Sequence, residues 1–125
     1  MRARVSLFLL PALLGAPSAA LAQSMNADTF FQRGSALQSK GPLALLSRDA
    51  SVLMAEGKAA GSKAREQRLA TIAAGEKPRF CPPPGKVKIG SGEFMKRLGA
   101  IPAAQRRTID MTEATTRILA GKYPC

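Results

Sequence analysis

The residues of this chain that could carry chemistry are few and scattered. The sequence contains no His, which excludes His-dependent catalytic triads and most zinc sites. No Ser is followed three residues later by Lys, so the Ser-x-x-Lys pattern of acyl transfer is absent. The carboxylates stand apart, at Asp28, Asp49, Glu56, Glu66, Glu76, Glu93, Asp110 and Glu113. A pair of them could still assemble in space, as in glycosidases, but no spacing indicates it. We therefore expect no enzyme, no catalytic residue, no metal site and no cofactor.

Gly90-Ser91-Gly92 is the stretch closest to a catalytic glycine motif. It is not G-x-S-x-G, because the first glycine stands one place too close to the serine. It is not G-x-G-x-x-G either, because Met95 occupies the last position. We predict that Ser91 is the N-cap of a helix with Glu93 in its first turn. Anion binding by the amides at this helix start is the alternative.

The two cysteines, Cys81 and Cys125, are predicted to form a structural disulfide. They are the only thiols, and the export signal described below places them where disulfides persist. The bond closes a loop of 45 residues, both ends counted, and should stabilise the fold by about 4 kcal/mol on the loop-entropy relation. A redox-active pair would have C-x-x-C spacing, and a metal site would need further ligands.

Residues 1–22 are predicted to form a secretory signal peptide. Arg2 and Arg4 make the start cationic, Val5–Leu14 is apolar, and Ala20-Leu21-Ala22 fits a signal-peptidase site. The apolar run is half the roughly 20 residues that a membrane anchor needs. Cleavage after Ala22 leaves residues 23–125 as one periplasmic domain and lowers the formal net charge from +11 to +9. No later stretch is long and apolar enough to span a bilayer.

Apolar periodicity predicts an all-α fold, a small bundle of four to five helices with one C-terminal disulfide. Asn26–Thr29 offers acceptors for the start of a first helix, which Gly41-Pro42 ends. A second helix is predicted from Leu43 to about Gly57. Its core-facing stripe comprises Leu46, Ala50, Leu53, Met54 and Gly57. Helix is predicted again from Lys58 to Ala74, either continuous with the second helix or broken near Gly57 or Gly61.

Gly57 and Gly61 lie one turn apart on one helix face. This spacing favours a close helix contact or a kink over a ligand-binding notch, which is the alternative. Prolines exclude helix from much of 75–92, and Phe94, Leu98 and Ile101 then follow at helical spacing. A last helix is predicted from Ala103 to about Leu119, ended by Gly121. Its apolar face comprises Ile109, Met111, Thr112, Thr115, Thr116, Ile118 and Leu119.

Positive charge is concentrated in the middle of the chain. The sequence has 19 Lys and Arg against 8 Asp and Glu, so the chain is strongly basic. The middle cluster comprises Lys58, Lys63, Arg65, Arg68, Lys77, Arg79, Lys86 and Lys88, and Lys96-Arg97 and Arg106-Arg107 add doublets. Nucleic-acid binding would require interleaved aromatic residues for stacking, and the aromatic residues here lie in apolar patterns. The charge therefore indicates a solvated face, an acidic protein partner or an anionic envelope surface.

The C-terminal half contains three motifs in a distinctive order. Phe80-Cys81-Pro-Pro-Pro-Gly85 comes first, a helix ending near Pro102 follows, and the chain closes with Tyr123-Pro124-Cys125. This order resembles the Rap/Tai family, which has C-x-P-x-G, a helix ending near a proline, and a closing aromatic-Pro-Cys. The resemblance covers residues 26–125 and is specific over residues 80–125. The family's paired middle glycines correspond to Gly57 and Gly61. A second cysteine pair and an aromatic residue beside these glycines, frequent in the family, are missing here.

Rap/Tai proteins are small exported bacterial proteins that act as immunity partners of type VI secretion effectors, several of which are cell-wall amidases. The resemblance implies an immunity-type protein that binds and inhibits a secreted amidase-type effector, either as a monomer or as a homodimer. We expect exposed arginines to meet acids on that protein partner, with Arg65, Arg68, Arg106 and Arg107 as the candidates. The alternative function is a periplasmic basic helical module, of binding or chaperone-like type, for anionic envelope components.

Overall fold

The structure is a computed structural model, and it describes residues 24–85 and 87–125. The expected signal peptide at 1–22 lies outside the described residues. The elements are α1 (Ala27–Ser39), a 3-10 turn (Pro42–Leu46), α2 (Arg48–Ala73), α3 (Ser91–Ala100), α4 (Ala103–Arg106) and α5 (Met111–Lys122). In the described part there is no β-strand, and an isolated bridge links Asn26 to Asp110. The predicted all-α fold class is confirmed.

Asn26 and Asp110 fix where α1 and α5 begin. The Asn26 Oδ1 accepts hydrogen bonds from the amides of Asp28 at 3.0 Å and Thr29 at 3.1 Å. The sequence predicted a side-chain acceptor within Asn26–Thr29, and Asn26 provides it. Its Nδ2 donates to the Arg107 carbonyl at 2.9 Å, which ties the start of α1 to the turn before α5. Asp110 caps α5 by accepting from the Glu113 amide at 2.8 Å.

The predicted start and stripe of the second helix are corrected by the structure. Pro42 begins a 3-10 turn, and α2 starts only at Arg48, where the Ser47 side chain caps it. Because the turn changes the helical register, Leu46 does not face the core and is 85% exposed. Leu53 is buried as predicted, whereas Met54 is 70% exposed. Of the two alternatives for the region after Gly57, the continuous helix is the correct one.

Three further boundaries differ from the prediction. The expected last helix is two helices, because the Asp110 cap starts α5 separately from the short α4. Ser91 is the first residue of α3 rather than its N-cap. The N-cap is Gly90, so no side chain caps this helix. Glu93 does lie in the first turn. Helix α5 continues through Gly121 to Lys122.

Helix α5 is the centre of the bundle and is buried on most of its surface. Met111, Ala114 and Ile118 of α5 form the main core with Phe30 of α1, Leu53 of α2 and Leu98 of α3, among others. Helix α2 reaches α5 with small residues, since Ala60 and Ala64 are each 1% exposed. Small side chains at the contact allow the two helix axes to approach closely.

The predicted disulfide between Cys81 and Cys125 is present, with the two Cα atoms 4.9 Å apart. The Cys81 amide also donates to the Tyr123 carbonyl at 2.8 Å. The extended proline-rich segment between α2 and α3, residues 75–85 and 87–90, is thus joined to the end of α5 by one covalent and one hydrogen bond. A disulfide is compatible with an exported protein.

Glu113 of α5 anchors the same segment a second time, through Arg79, which lies two residues before Cys81. The Arg79 guanidinium donates two hydrogen bonds to the Glu113 carboxylate, at 2.6 and 2.8 Å, and Arg117 donates a third at 3.0 Å. These bonds, that of Arg79 first, lower the pKa of Glu113 to about 2.

We expect Glu113→Gln to lose less of its free energy of unfolding than wild type does when the pH falls from about 5 to about 2. Because the pKa of Glu113 is lower in the folded than in the unfolded state, its stabilisation is present above about pH 5 and is lost towards about pH 2. The difference in urea midpoint between wild type and Glu113→Gln should therefore shrink as the pH falls through this range. Other carboxyls with lowered pKa, such as Asp49 beside Arg33, titrate in both proteins and cancel. Parallel curves for the two proteins would contradict this assignment.

Candidate binding groove

A groove with a volume of about 1600 Å³ runs along α2 and is the candidate functional site. Residues of α1, the 3-10 turn, α2, the proline-rich segment, α3 and α5 line it. We call it the α2 groove. The disulfide helps to fix the shape of the groove, because Phe80 and Pro82 flank Cys81 and both line the groove.

Helix α2 contributes one continuous stripe to the groove. Its lining residues are Ala50, Leu53, Met54, Gly57, Lys58, Gly61, Ser62, Arg65, Arg68 and Leu69. Steps of three and four residues keep a stripe on one face of a helix, and the distance from residue 50 to residue 69 is about 28 Å at 1.5 Å per residue. Residues 50 and 53 of this stripe are buried, and most of the rest is open to solvent.

The lining of the groove is predominantly apolar, and part of this apolar surface is exposed to solvent. Phe30, Leu37, Phe80, Ile89, Phe94, Met95 and Leu119 line it. Four more apolar lining residues are exposed: Leu45 at 69%, Met54 at 70%, Leu69 at 48% and Val87 at 39%. Contiguous exposed apolar surface of this kind marks a binding site more often than a plain surface.

Every charged residue that lines the groove in the described part is a cation: Lys58, Arg65 or Arg68. The Arg68 Nε donates to the Phe80 carbonyl at 2.9 Å, and its guanidinium lies 5.7 Å from the Phe80 ring centre. Lys58 and Arg65 are exposed, and neither makes a hydrogen bond or ion pair with another described residue. The groove therefore combines an apolar surface with cations available to an anionic group.

Gly57 and Gly61 both line the groove, and neither serves a close helix contact within the described fold. A Cβ added to Gly61 would meet nothing within 4 Å, and one added to Gly57 would lie 3.9 Å from Phe30. The close contact that the sequence favoured is thus absent. A glycine inside a helix costs about 1 kcal/mol relative to alanine. Helix α2 contains two such glycines, and both lie at the groove.

Thr115 of α5 is a buried polar residue that lines the same groove. It is 5% exposed, and its hydroxyl has no hydrogen-bond partner among the described residues. Its neighbour Thr116 behaves differently, because that hydroxyl donates to the Thr112 carbonyl at 2.9 Å. A buried hydroxyl without a partner is uncommon in folded proteins. From the sequence, Thr115 is predicted only to lie on the apolar face of the last helix.

The four arginines expected to be exposed have different environments. Arg65 and Arg68 line the groove, the second being half-buried, and Arg107 is exposed outside it. The expectation was wrong for Arg106, which is only 6% exposed. Its Nε donates to Asp28 at 3.0 Å and its Nη1 to the Ile101 carbonyl at 2.6 Å. Arg106 is therefore a structural residue.

Most of the groove is not predicted by the sequence. The regular spacing from Ala50 to Leu69 is present, but its apolar part predicts a core stripe and its basic part predicts only surface charge. The walls from the 3-10 turn and the proline-rich segment, such as Leu45 and Val87, gave no periodic signal.

Within residues 24–85 and 87–125, no group of three or more Cys, Asp or Glu side chains could hold a metal ion. No helix in that part of the chain has the length and hydropathy needed to cross a membrane. Comparison of the chain with protein-family models, curated proteins and solved structures finds no match.

Proposed function

We propose that this chain is an exported immunity-type protein that binds and inhibits a secreted cell-wall hydrolase, and that the α2 groove holds the partner. The family resemblance suggests the class of function. The observation that supports binding is the groove itself, whose surface is apolar and whose described charged lining residues are Lys58, Arg65 and Arg68. A segment of the hydrolase occupies the groove, and the rest of the domain covers the active-site cleft.

The affinity of such a complex would rest on a few anchors rather than on total contact area. The exposed apolar side chains of Leu45 and Met54 offer desolvation energy, and Arg65 offers a planar donor for a carboxylate. Opposite charge on the partner would chiefly raise the association rate.

Affinity capture tests this function. Oxidised chain 23–125 is immobilised, challenged with envelope and secreted fractions at low and high salt, and the retained proteins are identified by mass spectrometry. We expect one stoichiometric hydrolase that stays bound at high salt. A diffuse set of proteins that washes off would contradict tight inhibition.

A matched pair of charge reversals locates the partner. Arg65→Glu and Arg107→Glu change the net charge equally, but only Arg65 lines the groove. We expect Arg65→Glu to slow association with the captured hydrolase about tenfold or more at low salt, and Arg107→Glu to change it little. The difference should diminish in high salt because surface charges are then screened. Equal effects of the two variants would remove the groove from the interface.

A second candidate function is a basic module for anionic envelope components. The same three cations and the formal charge of +9 on residues 23–125 favour it. This function predicts several partners, modest affinity and steep salt dependence, so the salt series separates it from inhibition.

A further inference from the structure

We infer that the occupant of the α2 groove is an acidic amphipathic helix of a partner protein, lying along α2 against Gly57 and Gly61. The inference rests on the proposed function only in taking the partner to be a protein. It does not require that this protein be a hydrolase.

The dimensions of the groove fit a helix. The open part of the α2 stripe, from Met54 to Leu69, is about 22 Å long, which corresponds to about four helical turns. The groove itself has a volume of about 1600 Å³, which exceeds the roughly 300–1,000 Å³ of small-molecule sites.

The glycine pair is what a second helix needs in order to approach α2. Small residues one turn apart let two helix backbones come close, and the spacing of helix axes depends on the side chains at the contact. Within the described fold nothing occupies this place, because the Cβ position of Gly61 has open space around it. An occupant that is not among the described residues therefore accounts for the pair, and helix-in-groove recognition is a common mode.

Two further features specify the chemistry of this helix. Lys58 and Arg65, which have no partner among the described residues, lie on the same face of α2 as the glycines, seven residues apart, and call for carboxylates on one flank of the occupant. The second feature is Thr115, a groove-lining residue of α5 whose buried hydroxyl lacks a partner among the described residues. Most of the remaining lining is apolar and matches the apolar face of an amphipathic helix, with Gln38, Ser62, Arg68 and Ser91 as the polar residues among it.

A second copy of this chain fits less well. If two copies packed groove to groove, Lys58, Arg65 and Arg68 of one copy would face the same cations of the other. A single acyl chain with an anionic head would leave much of the volume unfilled. Both occupants are nevertheless outcomes that the experiment below distinguishes.

The experiment uses oxidised chain 23–125 and three synthetic 15-residue peptides with blocked ends. The first peptide has Ala and Leu on one helical face and Glu on the flanks. The second has the same composition permuted so that no apolar face forms, and the third has Lys in place of each Glu. Binding is followed by fluorescence anisotropy and peptide helicity by circular dichroism. We expect the first peptide to bind at least tenfold more tightly than the other two and to gain helicity when bound.

Two variants locate that binding. Gly61→Leu places a side chain in the open groove, and it should fold because its Cβ meets no neighbour within 4 Å. Thermal melting checks that it does. We expect Gly61→Leu and Arg65→Glu each to weaken binding of the first peptide at least tenfold, whereas Arg107→Glu serves as the charge-matched control and should change it less than twofold.

Several results would overturn the inference. These are no measurable binding of the first peptide, equal binding of all three, or unchanged binding to Gly61→Leu. Preferential binding of dodecyl sulfate monomers over the peptide would assign the groove to a lipid-like ligand. A wild-type dimer in sedimentation that Gly61→Leu dissociates would assign it to a second copy. If a hydrolase is captured and Gly61→Leu still binds it, the helix inference and the placement of the partner in the α2 groove both fail, whereas the proposed inhibition of a hydrolase stands.

Discussion

Loss of the Cys81–Cys125 disulfide is expected to lower the free energy of unfolding by about 4 kcal/mol, the value for a loop of this length. That is a large share of the 5–15 kcal/mol that is typical of whole domains. The double variant Cys81→Ser/Cys125→Ser and wild type are compared by urea denaturation. The linkage also holds Phe80 and the prolines at the groove, so partner binding should weaken with it.

A reductant supplies the control for this prediction. In its presence wild type should lose its advantage and unfold at the same urea concentration as the double variant. A difference of less than about 1 kcal/mol between the oxidised wild type and the variant, where loop entropy predicts about 4, would show that the bond does not stabilise the fold.

The second large effect is expected for Arg106→Ala. The Arg106 and Asp28 side chains are only 7% and 17% exposed, and removing one member of a buried ion pair costs about 3–5 kcal/mol. The change also takes a hydrogen-bond donor from the carbonyls of Gly99 and Ile101 and a cation from the Phe31 ring, 4.1 Å away. Urea denaturation should therefore show a loss near the lower end of this range, since Asp28 keeps some contact with water.

The adjacent Arg107 is the matched control for Arg106. It is exposed, and Arg107→Ala should change the free energy of unfolding by no more than about 0.5 kcal/mol. If the two alanine variants unfold at the same urea concentration, Arg106 is not the structural residue that its contacts indicate.

The sequence predicted those features of the fold that depend on local chemistry. The helical content, a side-chain cap within Asn26–Thr29, the burial of Leu53 and the pairing of Cys81 with Cys125 follow from residue types and spacing. The displaced start of α2 at Arg48 shows the limit, because Pro42 and the Ser47 cap together insert a 3-10 turn that apolar periodicity does not register.

The candidate site was harder to predict for a physical reason. A 3.6-residue period shows which residues share a helix face, but not whether another element covers that face. Leu53 and Met54 are neighbours in one stripe, yet the first is buried and the second is 70% exposed. Likewise, Arg106 and Arg107 form one basic doublet in the sequence, and it is the tertiary position of Asp28, Phe31 and the carbonyls of Gly99 and Ile101 that makes Arg106 structural.

The glycine at the proposed binding site lowers the stability of α2. Gly61 lies inside α2 with open space at its Cβ position, so an alanine there would be expected to stabilise the helix by about 1 kcal/mol. A glycine at this position is consistent with the inference that an occupant lies against α2 there.

The most direct test of the proposed inhibition is to titrate a hydrolase, once captured, with oxidised chain 23–125 and to measure the rate of peptidoglycan hydrolysis. We expect activity to fall to zero at a stoichiometric ratio with wild type, and folded Gly61→Leu to require at least tenfold more protein. Undiminished hydrolysis at a large excess of the wild-type chain would disprove inhibition.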